Sequence, residues 1–127
     1  MIMKIYTSLL AGFVAFTAAS FVFPQQPRII GHWVAHYRNG SASYADFNED
    51  GTCKSYTFDG KPLVNATYKV GNGTLSINDK QGCGDDYWGK YSLTFYGRDS
   101  VLFTAVDDSC TPRRTSIDGG NLSRVKQ

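Results

Sequence analysis

The sequence predicts an all-β protein: an antiparallel, up-and-down, eight-stranded β-barrel. Three observations carry that expectation. From Ile29 onward, short apolar-rich runs alternate with turns rich in glycine, asparagine and aspartate, at the regular spacing of a sandwich or barrel. Within the runs apolar and polar residues alternate with a period of two, the mark of a strand with one buried face. No stretch beyond Ile29 carries a helical stripe. Eight antiparallel strands leave two edges to protect, and closure into a barrel removes both.

The elements follow in order. "HWVAHYR" (32–38) ends at "NGS", and "ASYADF" (42–47) ends at "NEDG", a strong hairpin signal. "TCKSYTF" (52–58) ends at "DGKP", and "LVNATYKV" (63–70) ends at "GNG". In the latter run Val64, Ala66, Tyr68 and Val70 share one face, and Asn65, Thr67 and Lys69 the other. "TLSIN" (74–78) places Leu75 and Ile77 together and leads into a glycine-rich loop over 79–89. "KYSLTFY" (90–96) aligns Tyr91, Leu93 and Phe95, and "SVLFTAV" (100–106) runs into the loop of Cys110. "RTSID" (114–118) and "NLSRV" (121–125) read as closing strands joined across "GG", bringing the total to eight or nine.

The 127 residues suffice for one domain. A basic start, Met1 to Lys4, precedes the apolar run "IYTSLLAGFVAFTAASFVF", with small residues for cleavage after Ala19 or Ser20. That is the pattern of a secretory signal peptide over 1–20. Thr7, Ser8, Thr17, Ser20 and Pro24 disfavour a lasting membrane anchor. The prolines of "PQQPR" make 21–30 an extended spacer, with the barrel over 31–127. The expected location is therefore secreted or periplasmic. The formal net charge is +2, with both signs interspersed; nucleic-acid binding wants a clustered basic face, and "TPRR" is not one.

Export permits disulfides. Cys53, Cys83 and Cys110 allow three pairings and leave one thiol over. Cys83 and Cys110 both lie in loops just outside apolar strands, which favours pairing them. Cys53, at the start of a strand, then reads as a free, half-buried small hydrophobe.

"GHW", Gly31-His32-Trp33, opens the first strand, and it resembles the G-x-W motif of lipocalins and the wider calycin superfamily. "F-x-x-D-G-T" (47–52) resembles the first hairpin of small exported bacterial lipocalin-like domains. Cys83, "G-K-Y" (89–91) and "D-x-C-x-x-R" (Asp108, Cys110, Arg113) resemble a further pattern of such proteins. The resemblance covers 31–125. It implies a lipocalin-like barrel closed at one end by Trp33 beneath an arginine of the last strand, here Arg124. It also implies that Cys83 and Cys110 pair. The chain departs from a typical lipocalin in its shortness, and in having no C-terminal helix and no long loop over the mouth that the sequence reveals.

The functional expectation is non-enzymatic: a small, largely apolar molecule bound in the barrel or at its mouth, with no cofactor. Alternation nominates Tyr37, Tyr68, Tyr91, Phe95 and Phe103 as pocket residues, with Tyr44 and Tyr56 as further polar lining beside Tyr37. Tyr87 and Trp88, adjacent aromatics in a glycine-rich acidic loop, suit a barrel mouth that takes apolar or sugar ligands or a protein partner; alternatively Trp88 caps the disulfide. The second reading is a protein-interaction module or an inhibitor of an exported enzyme acting through those loops. The third is a small enzyme with Asp46 or Asp108 as base. Arg113 is expected to bridge Asp107 and Asp108 or to face an anion. The acid pairs 49–50, 85–86 and 107–108 sit in turns without calcium-loop spacing. His32 and His36 stand about 13 Å apart on one strand face, too far to share a zinc ion. Asn39, Asn65, Asn72 and Asn121 open glycosylation sequons. A carrier needs a cavity of about 300 Å³ or more.

Overall fold

A computed structural model of the chain describes residues 28–80, 82–84 and 86–126. The expected signal peptide, the spacer up to residue 27, and Asp85 lie outside the described residues. Eight strands form one closed antiparallel barrel with neighbours in sequence order: β1 (Gly31–His36), β2 (Ala42–Phe47), β3 (Thr52–Tyr56), β4 (Pro62–Gly71), β5 (Thr74–Asn78), β6 (Gly89–Phe95), β7 (Ser100–Asp107) and β8 (Asn121–Arg124). The barrel closes where β8 pairs with β1, setting Trp33 opposite Arg124 and Ala35 opposite Leu122. The expected fold class is the one found.

One element corrects the sequence expectation. Residues 114–118 do not form a strand; they belong largely to a helix, α1 (Thr111–Ile117), between β7 and β8. Pro112 sits in its first turn, where a missing N–H costs nothing. Arg114 N–H donates to Cys110 C=O and Asp118 N–H to Arg114 C=O, each at 2.9 Å. The one side chain that α1 buries is Arg113, not an apolar residue, so hydrophobic periodicity had nothing to detect.

The hairpins follow turn chemistry. Between β4 and β5, Asn72 and Gly73 both take positive φ (54° and 73°). That is the type I′ geometry whose twist matches paired strands, and Asn-Gly is its favoured sequence.

Inward residues divide the barrel into two unequal halves. On β1 to β4 many are small: Ala35, Ser43, Ala45, Cys53, Ser55 and Ala66. On β5 to β8 they are bulky: Leu75, Ile77, Tyr91, Val101, Phe103 and Leu122. The bulky half fills its side of the core. The small half does not, and this asymmetry makes room for a cavity.

Candidate functional site: an apolar chamber under a short helix

One end of the barrel is shut. Trp33 is fully buried there, and its indole Nε1–H donates to Ile29 C=O at 2.7 Å. The Arg124 guanidinium lies 4.0 Å from the centre of the Trp33 ring, a cation–π contact. Arg124 also donates to the carbonyls of Arg28, Ile30 and Arg98, tying the entering chain to the β6–β7 turn. Gly31 has φ of 146°, and a Cβ there would collide with Arg124. Glycine at this position lets the clamp lie against the backbone.

The other end carries α1 and the Cys83–Cys110 disulfide, with Cα atoms 5.8 Å apart. Beneath them lies a buried charge network. Arg113, with a side chain only 3% exposed, donates from Nε and Nη2 to the two oxygens of Asp108, each at 2.8 Å. Its Nη1 donates to Asp79 at 2.9 Å and its Nη2 to Tyr87 C=O at 2.7 Å. The Tyr91 hydroxyl and the Cys110 N–H also donate to Asp108. Burial alone would raise the Asp108 pKa; the bonds from Arg113, Tyr91 and Cys110 outweigh it and hold the carboxyl below the usual carboxylate value. Burial and the Asp108 bond push the Tyr91 phenol upward. The expected bridge to Asp107 is absent from the described contacts; Asp79 takes its place.

Between these ends is a cavity of about 270 Å³. Its walls are Ala35, Ala45, Cys53, Val64 and Ala66 on the small half, and Leu75, Ile77, Phe103 and Leu122 opposite. Pro112, Ser116 and Ile117 of α1 roof it. Beside the roof a more polar vestibule shares Tyr37, Ser55, Val64 and Ser116 with it, and adds Arg38, Asn39, Arg114 and Asp118. Inside, the Tyr37 hydroxyl bonds to Ser43 at 2.9 Å.

Of the seven expected ligand residues, Tyr37 and Phe103 line this chamber; the other five do not. Tyr91 is sealed in the core against Asp108, and Tyr68 packs edge-on against Phe47 and bonds to Asn48 C=O toward the shut end. Phe95 is partly buried near the same end. Trp88 is not among the residues lining the chamber: its ring lies 4.7 Å from the Lys69 ammonium, which belongs to the outward face of β4. Tyr87 is exposed, and its backbone carbonyl accepts from Arg113 Nη2. Tyr44 and Tyr56 face outward, where they stack with His32. There Asp46 bonds to both His32 Nδ1 and the Tyr56 hydroxyl. Burial first, then the Asp46 bond, pushes the Tyr56 phenol to about 12.

The ionisable side chains on the chamber lining are His36, Tyr37, Cys53, Lys54, Asp79 and Arg113. Cys53 is its free thiol, and burial, reinforced by the charge of Asp79, pushes its pKa to about 12, so it stays protonated. Asp79 and Arg113 reach the wall already paired with each other. Among the described residues no three of His, Cys, Asp and Glu gather to hold a metal ion. The arrangement can enclose an apolar group. Alternation in the sequence placed Ala66 on an inward face, but it nominated aromatic residues for the pocket, whereas much of the chamber wall is small: Ala35, Ala45, Cys53 and Ala66. Comparison with protein-family models, with curated proteins and with solved structures finds no match to this chain. Among the described residues no helix is long and apolar enough to cross a membrane.

Proposed function

We propose that this is an exported, lipocalin-like binding protein that holds a small, largely apolar molecule in the barrel chamber. The observation that carries the reading is the asymmetric lining. Small inward side chains on β1 to β4 leave about 270 Å³ of mostly apolar space inside an otherwise packed barrel. At about 270 Å³ the chamber alone falls just short of the roughly 300 Å³ at which small-molecule sites begin, and the adjoining vestibule supplies the rest for a ligand of modest size. The disulfide agrees with export, because such bonds persist in oxidising compartments.

Calorimetric titration with 1-decanol tests the proposal. Wild type is expected to bind it, and Ala66→Leu, which puts three carbons into the chamber, to bind at least about tenfold more weakly while keeping its fold. Absence of binding to wild type, or equal binding to both proteins, would overturn the reading.

A further inference from the structure

Six arginines lie in the chain. Arg113 is locked to Asp108 and Asp79, Arg124 meets Asp99 and three carbonyls, and Arg28 pairs with Glu49. Arg98 is engaged as well. Two remain, Arg38 and Arg114, whose guanidinium groups have no bonded partner among the described residues. Both line the same feature: the vestibule that shares Tyr37, Ser55, Val64 and Ser116 with the apolar chamber. They come from different elements, Arg38 from the β1–β2 turn and Arg114 from α1. The stem of Arg38 crosses Gly119, where a Cβ would strike it, so its placement rests on a glycine beside the helix end. The carboxylate that lines the vestibule with them, Asp118, accepts the Ala105 N–H at 2.8 Å. The vestibule lining thus carries two cations against one anion, a net positive charge.

An apolar chamber beside two unpaired guanidinium groups describes an amphiphile. We propose, resting on the reading of the chamber as a ligand site, that the ligand carries one anionic head group on a short apolar tail. The tail fills the chamber, and Arg38 and Arg114 hold the head in the vestibule. Guanidinium groups suit that task, since their planar donors match the two oxygens of a carboxylate or a similar oxyanion. With about 30 Å³ for each water-sized group, the chamber takes a tail of roughly nine carbons.

Decanoate, 1-decanol and decylamine share one tail and differ in the charge of the head at pH 7.5. Titration calorimetry on the mature protein at low salt gives their relative affinities. Decanoate is expected to bind at least about fivefold tighter than decanol, and decylamine more weakly than either. Raising the salt narrows the first ratio, because the head sits where solvent screens it. Arg38→Gln and Arg114→Gln each lower the decanoate-to-decanol ratio severalfold, and the double variant brings it near unity. Arg28→Gln, at the shut end of the barrel, leaves the ratio as in wild type. Equal affinity for decanoate and decanol, or a ratio untouched in the double variant, would overturn the anionic head group while leaving the apolar chamber standing. If none of the three probes binds wild type, both proposals fall together.

Discussion

Removing the cation beneath the disulfide is expected to do as much harm as deleting a large apolar side chain from the core. Arg113→Leu strips Asp108 of two bonds at 2.8 Å and Asp79 of one at 2.9 Å. Asp108 is left with a side chain that has no access to water and only the Tyr91 and Cys110 donors. Breaking a buried pair from one side costs about 3–5 kcal/mol, because the abandoned charge stays desolvated. At about 4 °C or more per kcal/mol for a domain of this size, the melting temperature falls by at least roughly 12 °C. The sign of the second substitution is the sharper test. Asp108→Asn destabilises the wild type, but in the Arg113→Leu background it removes the stranded charge and is neutral or stabilising. Acid titration separates the two proteins further. In the wild type the folded pKa of Asp108 lies below the unfolded value, so its contribution is full above about pH 4 and is lost as pH falls through the depressed folded value. In Arg113→Leu burial is opposed only by the Tyr91 and Cys110 donors, so the folded pKa rises relative to wild type and the acid-side loss of stability moves to higher pH. Calorimetric melting of the four proteins of the cycle between pH 3 and 7 measures all of this. Additivity of the two substitutions within about 0.5 kcal/mol would refute the coupling.

The remaining predictions concern the other fixed points of the barrel. Reducing Cys83–Cys110, which spans 27 residues, should lower stability by about 3–4 kcal/mol on loop-entropy grounds, read from the shift in urea midpoint with and without reductant. Gly31→Ala should cost about 1–3 kcal/mol by urea denaturation, since it combines an unfavourable φ with a collision against the Arg124 clamp, whereas Gly71→Ala, which meets nothing, should change little. Cys53 should resist an aromatic disulfide reagent at pH 8 in the folded protein and react fully in urea. Its folded pKa of about 12 stands above the unfolded value, so the associated stability is full below about pH 8.5 and declines as pH rises toward 12. Rapid labelling of the native protein would contradict that burial.

Sequence patterning carried the strands because each has a period and most end in a turn with recognisable chemistry. It did not carry α1, whose seven residues are too few for a stripe and whose buried side chain is an arginine. The site was harder still. Alternation says which face a residue occupies but not how deep along the barrel it sits. Tyr37 and Tyr91 both pack against the core, yet one lines the chamber and the other is sealed against Asp108. A cavity is made by what is missing, so it resides in Ala35, Ala45 and Ala66, residues unremarkable until register sets Ala45 opposite Trp33 and Ala66 opposite Cys53. Tyr87 and Trp88 stand out in the sequence because adjacent loop aromatics are hard to bury together; both stay exposed, and Trp88 meets Lys69 on the outer wall.

The central claim is that the small-residue half of the barrel holds a ligand. Methyl-resolved NMR of the protein titrated with 1-decanol tests it most directly. The account predicts shifts concentrated at Ala35, Ala45, Val64, Ala66 and Ile77, with contacts from the decanol chain to those methyl groups and little change at exposed Val106. Shifts confined to the outer wall, or none at saturating probe, would contradict it.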